Sequence, residues 1–243
     1  MRHAWMVMLA VLVVVSAGGC CLMGDGPCGC GGVGLGRGKL VKSKDASAAN
    51  PMPKASGAIT ADGKLDEGAW NRAVALTSFI HGSNPPAVKT RVLVTYDAAN
   101  LYVAVACEEP DTDKLETDVT ERDGEVWTDD CVEIYIDPSN EKQGTTGYYG
   151  FFVTPTNVVY DRTEDGNWSS TDWKSGARVV AGKGWVAETV LPFKMMGVQP
   201  KAGHKLGVMA ARLRKAGVSE YMTLVPCDNE AKDTTKYPVL ELK

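Results

Sequence analysis

Residues 88–106 read Val-Lys-Thr-Arg-Val-Leu-Val-Thr-Tyr-Asp-Ala-Ala-Asn-Leu-Tyr-Val-Ala-Val-Ala. Two alternating runs rich in β-branched and aromatic residues flank Asp97-Ala-Ala-Asn100. A period of two puts successive side chains on opposite faces, and the four polar or small residues between the runs suit a turn. Val88–Tyr96 and Leu101–Ala106 are therefore expected to form a β-hairpin.

The same texture continues on both sides. Cys131–Ile136 alternates and stops at Asp137-Pro138-Ser139-Asn140, a strong turn signal. Tyr148–Thr154 and Asn157–Tyr160 pair around Pro155, and Arg178–Ala181 and Trp185–Leu191 flank Gly182-Lys183-Gly184. Lys205–Arg214, Glu220–Val225 and Val239–Leu242 complete about ten strands. Short helical turns are expected at Asp66–Arg72 and Phe193–Gly197. No helix-length amphipathic segment separates the strands, which disfavours a parallel α/β sheet. The pattern predicts an all-β fold, a single antiparallel β-sandwich. Trp70 and Trp185 read as packing residues.

The chain has 243 residues, of which 44% are hydrophobic and 23% charged, so a substantial core can form. A net charge of −4 argues against nucleic acid as a partner, because phosphate binding needs a basic face. Only His3, His81 and His204 are present, too few and too scattered for a histidine-based metal centre. Four of the seven cysteines, Cys20, Cys21, Cys28 and Cys30, crowd near the N-terminus. Cys107, Cys131 and Cys227 remain, and three thiols do not make a disulfide framework. A Cys107–Cys131 pair stays open at this stage.

Residues 1–19 have the layout of a secretory signal peptide. Arg2 is followed by the apolar run Ala4–Val15 and then by Ser16-Ala17-Gly18-Gly19. Cys20 follows Ala-Gly-Gly, which resembles a bacterial lipobox and predicts lipidation at Cys20. The expected location is outside the cytoplasm, at the cell envelope or outer surface, with the membrane as a partner only through the lipid anchor. Residues 20–56 are rich in Gly, Cys, Ala and Ser and read as a tether. The globular domain is expected over 57–243.

Five stretches within that domain occur in a specific order. They are Ile59–Trp70, Val92–Val105, Trp127–Pro155, Trp185–Phe193 and Leu206–Arg212. Together they resemble the family 9 carbohydrate-binding modules. That resemblance implies an immunoglobulin-like sandwich of the wider DOMON-like class, without enzymatic activity. It also implies a polysaccharide or oligosaccharide partner, in some members structural calcium, and a sugar ring held between two aromatic side chains. Trp127 stands where the first aromatic belongs, and Glu133 matches a carboxylate that bonds sugar hydroxyls. A sugar has an apolar C–H face and a hydroxyl rim, which suit a Trp face and a carboxylate respectively.

The chain also departs from the family pattern. Phe152 occupies the place of a frequent arginine, and residues 227–236 offer no second aromatic before Tyr237. Trp168 and Trp173, in the polar loop Asp165–Trp173, are candidate substitutes. Arg212, ending the last matching stretch, is the remaining ligand candidate. Asp62, Asp66 and Asp129 are the candidate calcium ligands, being oxygen donors near turns.

Three other readings compete. A glycosidase would need a facing pair of carboxylates, and no nucleophile elbow or phosphate loop is present. A haem-b electron-transfer domain would use Met195, Met196, Met209 or His204 as axial ligands. A sandwich that has lost its sugar would serve as a structural or protein-interaction domain.

Overall fold

The computed structural model describes residues 39–40, 48–166, 168–227 and 231–243. The signal peptide over 1–19, the lipidation site Cys20 and most of the tether lie outside the described residues. Thirteen strands are assigned among those described. In chain order they are β1 (Lys39–Leu40), β2 (Asn50–Met52), β3 (Val74–Leu76), β4 (Thr90–Tyr96), β5 (Asn100–Glu108), β6 (Cys131–Asp137), β7 (Tyr149–Val153), β8 (Val159–Thr163), β9 (Lys174–Val180), β10 (Gly184–Pro192), β11 (Lys205–Arg214), β12 (Glu220–Thr223) and β13 (Val239–Leu242). One sheet runs β1-β3-β4-β5-β10-β9 and the other β2-β13-β11-β6-β7-β8. β12 pairs with the C-terminal half of β11, whose N-terminal half pairs with β13. All pairings are antiparallel except β1 with β3 and β13 with β2.

The hairpin expected at 88–106 is β4–β5, in the register Tyr96↔Leu101. The turn works as Asx chemistry dictates, with the Asp97 carboxylate accepting the N–H groups of Ala99 and Asn100. The helical turns form as single 3-10 turns at Gly68–Arg72 and Phe193–Met196. The strands beyond the expected ten are β1, β2 and β3, each of two or three residues. Segments that short carry no readable periodicity. β2 changes the expected boundary: Asn50–Met52, within the expected tether, pairs with β13, and Met52 is fully buried.

The main core lies between the sheets, where Val103 and Val105 of β5 and Val132, Ile134 and Ile136 of β6 are fully buried. Yet almost every residue of β4 and β5 is buried, not alternate ones. The reason is a second, smaller core on the outer face of the first sheet, where Ile59, Ala69 and Trp70 cover Leu93, Tyr102 and Ala104.

Glu188 of β10 fastens that cover. Its Oε2 accepts the backbone N–H groups of Asp62, Gly63 and Lys64, and its Oε1 accepts the Trp70 indole N–H. Gly63 has φ +77, and a Cβ there would lie 2.6 Å from Arg178. A Cβ on Gly176 would lie 2.2 Å from the Ala61 carbonyl oxygen, so the cover rests directly on β9. Burial pushes the Glu188 carboxyl up to about 7, against the pull of its N–H donors. The folded chain thus holds a proton that the unfolded chain has released near its ordinary value. This stability is fully present below about pH 4.5 and is lost as pH rises through 7. From pH 5 to pH 8 the unfolding free energy extrapolated from urea titrations should fall on the order of 1–3 kcal/mol more for wild type than for Glu188→Gln. Equal pH slopes in the two proteins would remove Glu188 from this role.

Candidate functional site

The outer face of the second sheet carries the site. Cross-strand register places Glu133 of β6 opposite Phe152 of β7, which lies opposite Tyr160 of β8. Two residues along, Tyr135 faces Gly150, and Gly150 faces Arg162. On the other side, Leu213 of β11 meets Tyr221 of β12. Tyr221 and Arg162 are thus separated by four strand spacings, roughly 19 Å, with Glu133 midway.

Glu133, Tyr135, Phe152, Arg162, Leu213 and Tyr221, with Trp127, Lys232 and others, line a cavity of 630 Å³. That lies within the range of about 300–1,000 Å³ for small-molecule sites. Glu133 is buried at its floor, and its Oε2 accepts the hydroxyls of Tyr135 at 2.7 Å and Tyr221 at 3.2 Å. Burial pushes the Glu133 carboxyl up, the two tyrosine hydroxyls oppose this, and the charges of Lys232 and Arg162 also favour the ionised form. Tyr135 is itself braced edge-on by Tyr148 at 5.5 Å and Phe152 at 5.7 Å. The carboxylate is therefore held in place before any ligand arrives.

Trp127 belongs to a single 3-10 turn, Val126–Thr128, pinned by fully buried Val126. Its ring meets Tyr160 edge-to-face at 5.2 Å. It remains 39% exposed, the one exposed aromatic side chain among the large exposed hydrophobics of the described residues. The arrangement offers an open indole face beside a preorganised acceptor, which can take an apolar ring face and its polar rim together.

The other expected ligand residues lie elsewhere. Trp168 packs edge-on against Tyr149 and Phe151. Trp173 is 5% exposed; its indole N–H donates to Asp161, and Arg122 lies 5.7 Å from its ring centroid. Both close the sandwich on the side of the main core. Arg212 is fully buried and bonded to Glu109, because its backbone pairs with inward-facing Val132. Leu213, one residue on, takes the cavity side.

Sequence reasoning missed Arg162, Tyr135 and Tyr221. The strand that carries Arg162 was expected to end at Tyr160. Extending its alternation by two residues brings Arg162 onto the face of Tyr160 and Glu133.

Two of the three oxygen donors suggested for calcium are committed to neighbours. Asp62 accepts the Lys64 amide and pairs with its ammonium, and Asp129 accepts the Val119 N–H. Among the described residues, no group of three or more His, Cys, Asp or Glu side chains is placed to hold a metal ion. The haem candidates are likewise dispersed. Met209 is buried on β11, Met196 lies in the turn after β10, and His204 Nε2 donates to the Pro138 carbonyl. Cys107 and Cys131 are both thiols on different sheets, and burial pushes the Cys107 thiol up to about 12.

The family model described as "Carbohydrate family 9 binding domain-like" matches residues 61–243. Endo-1,4-beta-xylanase A from Thermotoga neapolitana is 26% identical over 187 residues, covering 74% of this chain and 17% of the xylanase. The corresponding Thermotoga maritima xylanase is also 26% identical, with 16% of it covered. The chain therefore spans about a sixth of the length of these curated relatives. Among solved structures, a family 9 carbohydrate-binding module from Caldicellulosiruptor kristjanssonii in complex with cellotriose superposes with a TM-score of 0.62. It is 14% identical, with 80% of this chain and 94% of that one covered. A putative carbohydrate-binding protein from Bacteroides uniformis superposes equally well, at 0.62 and 13% identity, with 80% and 99% covered.

Proposed function

Because the chain belongs to the carbohydrate family 9 binding domain-like family, we propose that its cavity binds a saccharide and leaves it chemically unchanged. The observation that carries this reading is the juxtaposition of exposed Trp127 with buried, tyrosine-held Glu133 in one cavity. The indole takes the C–H face of a ring. Glu133 Oε1 takes ring hydroxyls, while Oε2 stays with Tyr135 and Tyr221. No bond-breaking step needs assigning. A glycosidase requires two carboxyls about 5–10 Å apart across the scissile bond; here Glu133 is held as an acceptor by Tyr135 and Tyr221, and the second lining carboxyl, Glu164, is exposed to solvent. The apolar run Ala4–Val15 and Cys20 support export and lipid anchoring, which would hold the glycan near the cell surface.

The test is a titration of the full chain with glucose, cellotriose and a panel of plant, algal and bacterial glycans, read by tryptophan fluorescence. At least one saturable response is expected. In Glu133→Gln its dissociation constant should rise about 10- to 100-fold, the loss of a hydrogen bond to a charged group. Silence across the panel would end the saccharide reading. A response indifferent to Glu133→Gln would move the site off this cavity.

A further inference from the structure

Two cations converge on this cavity. Arg162 of β8 and Lys232 line it together with Glu133, and both act electrostatically on the Glu133 carboxylate. Neither forms an ion pair with a described carboxylate. Two carboxyls also line the cavity, so its formal charges balance, but Glu133 has its Oε2 taken by two tyrosine hydroxyls and Glu164 is exposed, where solvent screens it.

Arg162 also reaches the cavity by a built route. Its Nε donates to the Thr163 carbonyl at 3.3 Å, which leaves part of its five-donor fork for a ligand. Its stem lies over Gly150, where a Cβ would come within 3.1 Å of Arg162 Cγ and 3.2 Å of Tyr135 Cε1. The absent side chain lets the arginine lie against the sheet.

Resting on the saccharide reading, the geometry points to a sugar that carries an anion, the carboxylate of a uronic acid or a sulfate ester. Arg162 takes the anionic group with its planar fork, and Lys232 adds a second positive charge. The ring stacks on Trp127, and Glu133 accepts a hydroxyl. Guanidinium recognises either oxyanion through paired N–H bonds, and such charge-assisted bonds are about twice as strong as neutral ones.

The experiment is calorimetric titration of the full chain with methyl β-glucoside, methyl β-glucuronide and glucose 6-sulfate, at low and at high salt. At least one anionic probe should bind about tenfold tighter than the neutral glycoside. The two anionic arms show whether carboxylate or sulfate is preferred. High salt should shrink the ratio, because it screens partly exposed charges. In Arg162→Gln the ratio should fall toward one, and Arg162→Lys should restore part of it. Neutral and anionic probes binding equally would overturn this inference and leave the saccharide reading standing. Silence with all three, in protein that binds a neutral glycan of the panel above, would overturn this inference alone; silence with the whole panel as well, in protein whose circular dichroism is native, would overturn both.

Discussion

Trp127→Ala should raise the dissociation constant for the bound saccharide about 30- to 150-fold while leaving the fold intact. The indole face is open to solvent, so its worth to the folded chain is small. The edge contact with Tyr160, at 5.2 Å, contributes about 0.5–1.5 kcal/mol. For a chain of this size that lowers the thermal midpoint by about 1–6 °C. Its worth to the complex is larger. Covering roughly 100 Å² of indole with the apolar face of a sugar stabilises the complex by about 2–3 kcal/mol. That difference corresponds to the stated rise in dissociation constant. Trp127→Phe should keep a stacking face and lose less than tenfold, roughly 1 kcal/mol. Calorimetric titration beside a thermal melt separates the two effects. Unchanged affinity in Trp127→Ala would mean that the sugar does not stack there.

What the sequence disclosed depended on how far each signal reached. The β4–β5 hairpin was legible because a long alternating run met a turn whose aspartate closes it locally. Trp127 and Glu133 stood out as candidates because they fall within the stretch most like family 9 modules, and the structure sets both in one cavity. Trp173 was open to two readings. A tryptophan among Asp, Gly, Asn and Ser is either docked or used, and here its indole N–H donates to Asp161 of β8. No local pattern announces that pairing. The cover over the first sheet was equally hidden, since Glu188 meets its donors more than a hundred residues away.

Arg212 was misread for a reason of parity. A single residue separates the face of a strand that meets the cavity from the face that meets the interior. Leu213 pairs with Cys131 and lines the cavity, whereas Arg212 pairs with Val132 and points inward. A long cation at the edge of a core must find a buried acid, and Glu109 is that acid. Its Oε2 accepts Arg212 at 3.0 Å and Arg214 Nε at 2.6 Å, and its Oε1 accepts Arg214 again at 2.9 Å.

Glu109→Ala should therefore be among the most destabilising single substitutions in the chain. Glu109 and Arg212 are fully buried and Arg214 is 4% exposed, so deleting the acid strands guanidinium groups out of water. Arg214 keeps Glu220 at 3.4 Å, but Arg212 keeps only neutral acceptors, the Glu108 carbonyl and the Thr90 hydroxyl. Breaking a buried pair from one side costs about 3–5 kcal/mol, a fall of about 6–20 °C in thermal midpoint for a domain of this size. Adding Arg212→Met should recover part of the loss, because the double variant no longer buries an unpaired charge there. Arg212→Met alone should lower stability and leave the saccharide dissociation constant where it was. If that variant instead loses ligand at unchanged stability, Arg212 belongs to the binding site after all, and the inward parity of β11 at this position is wrong.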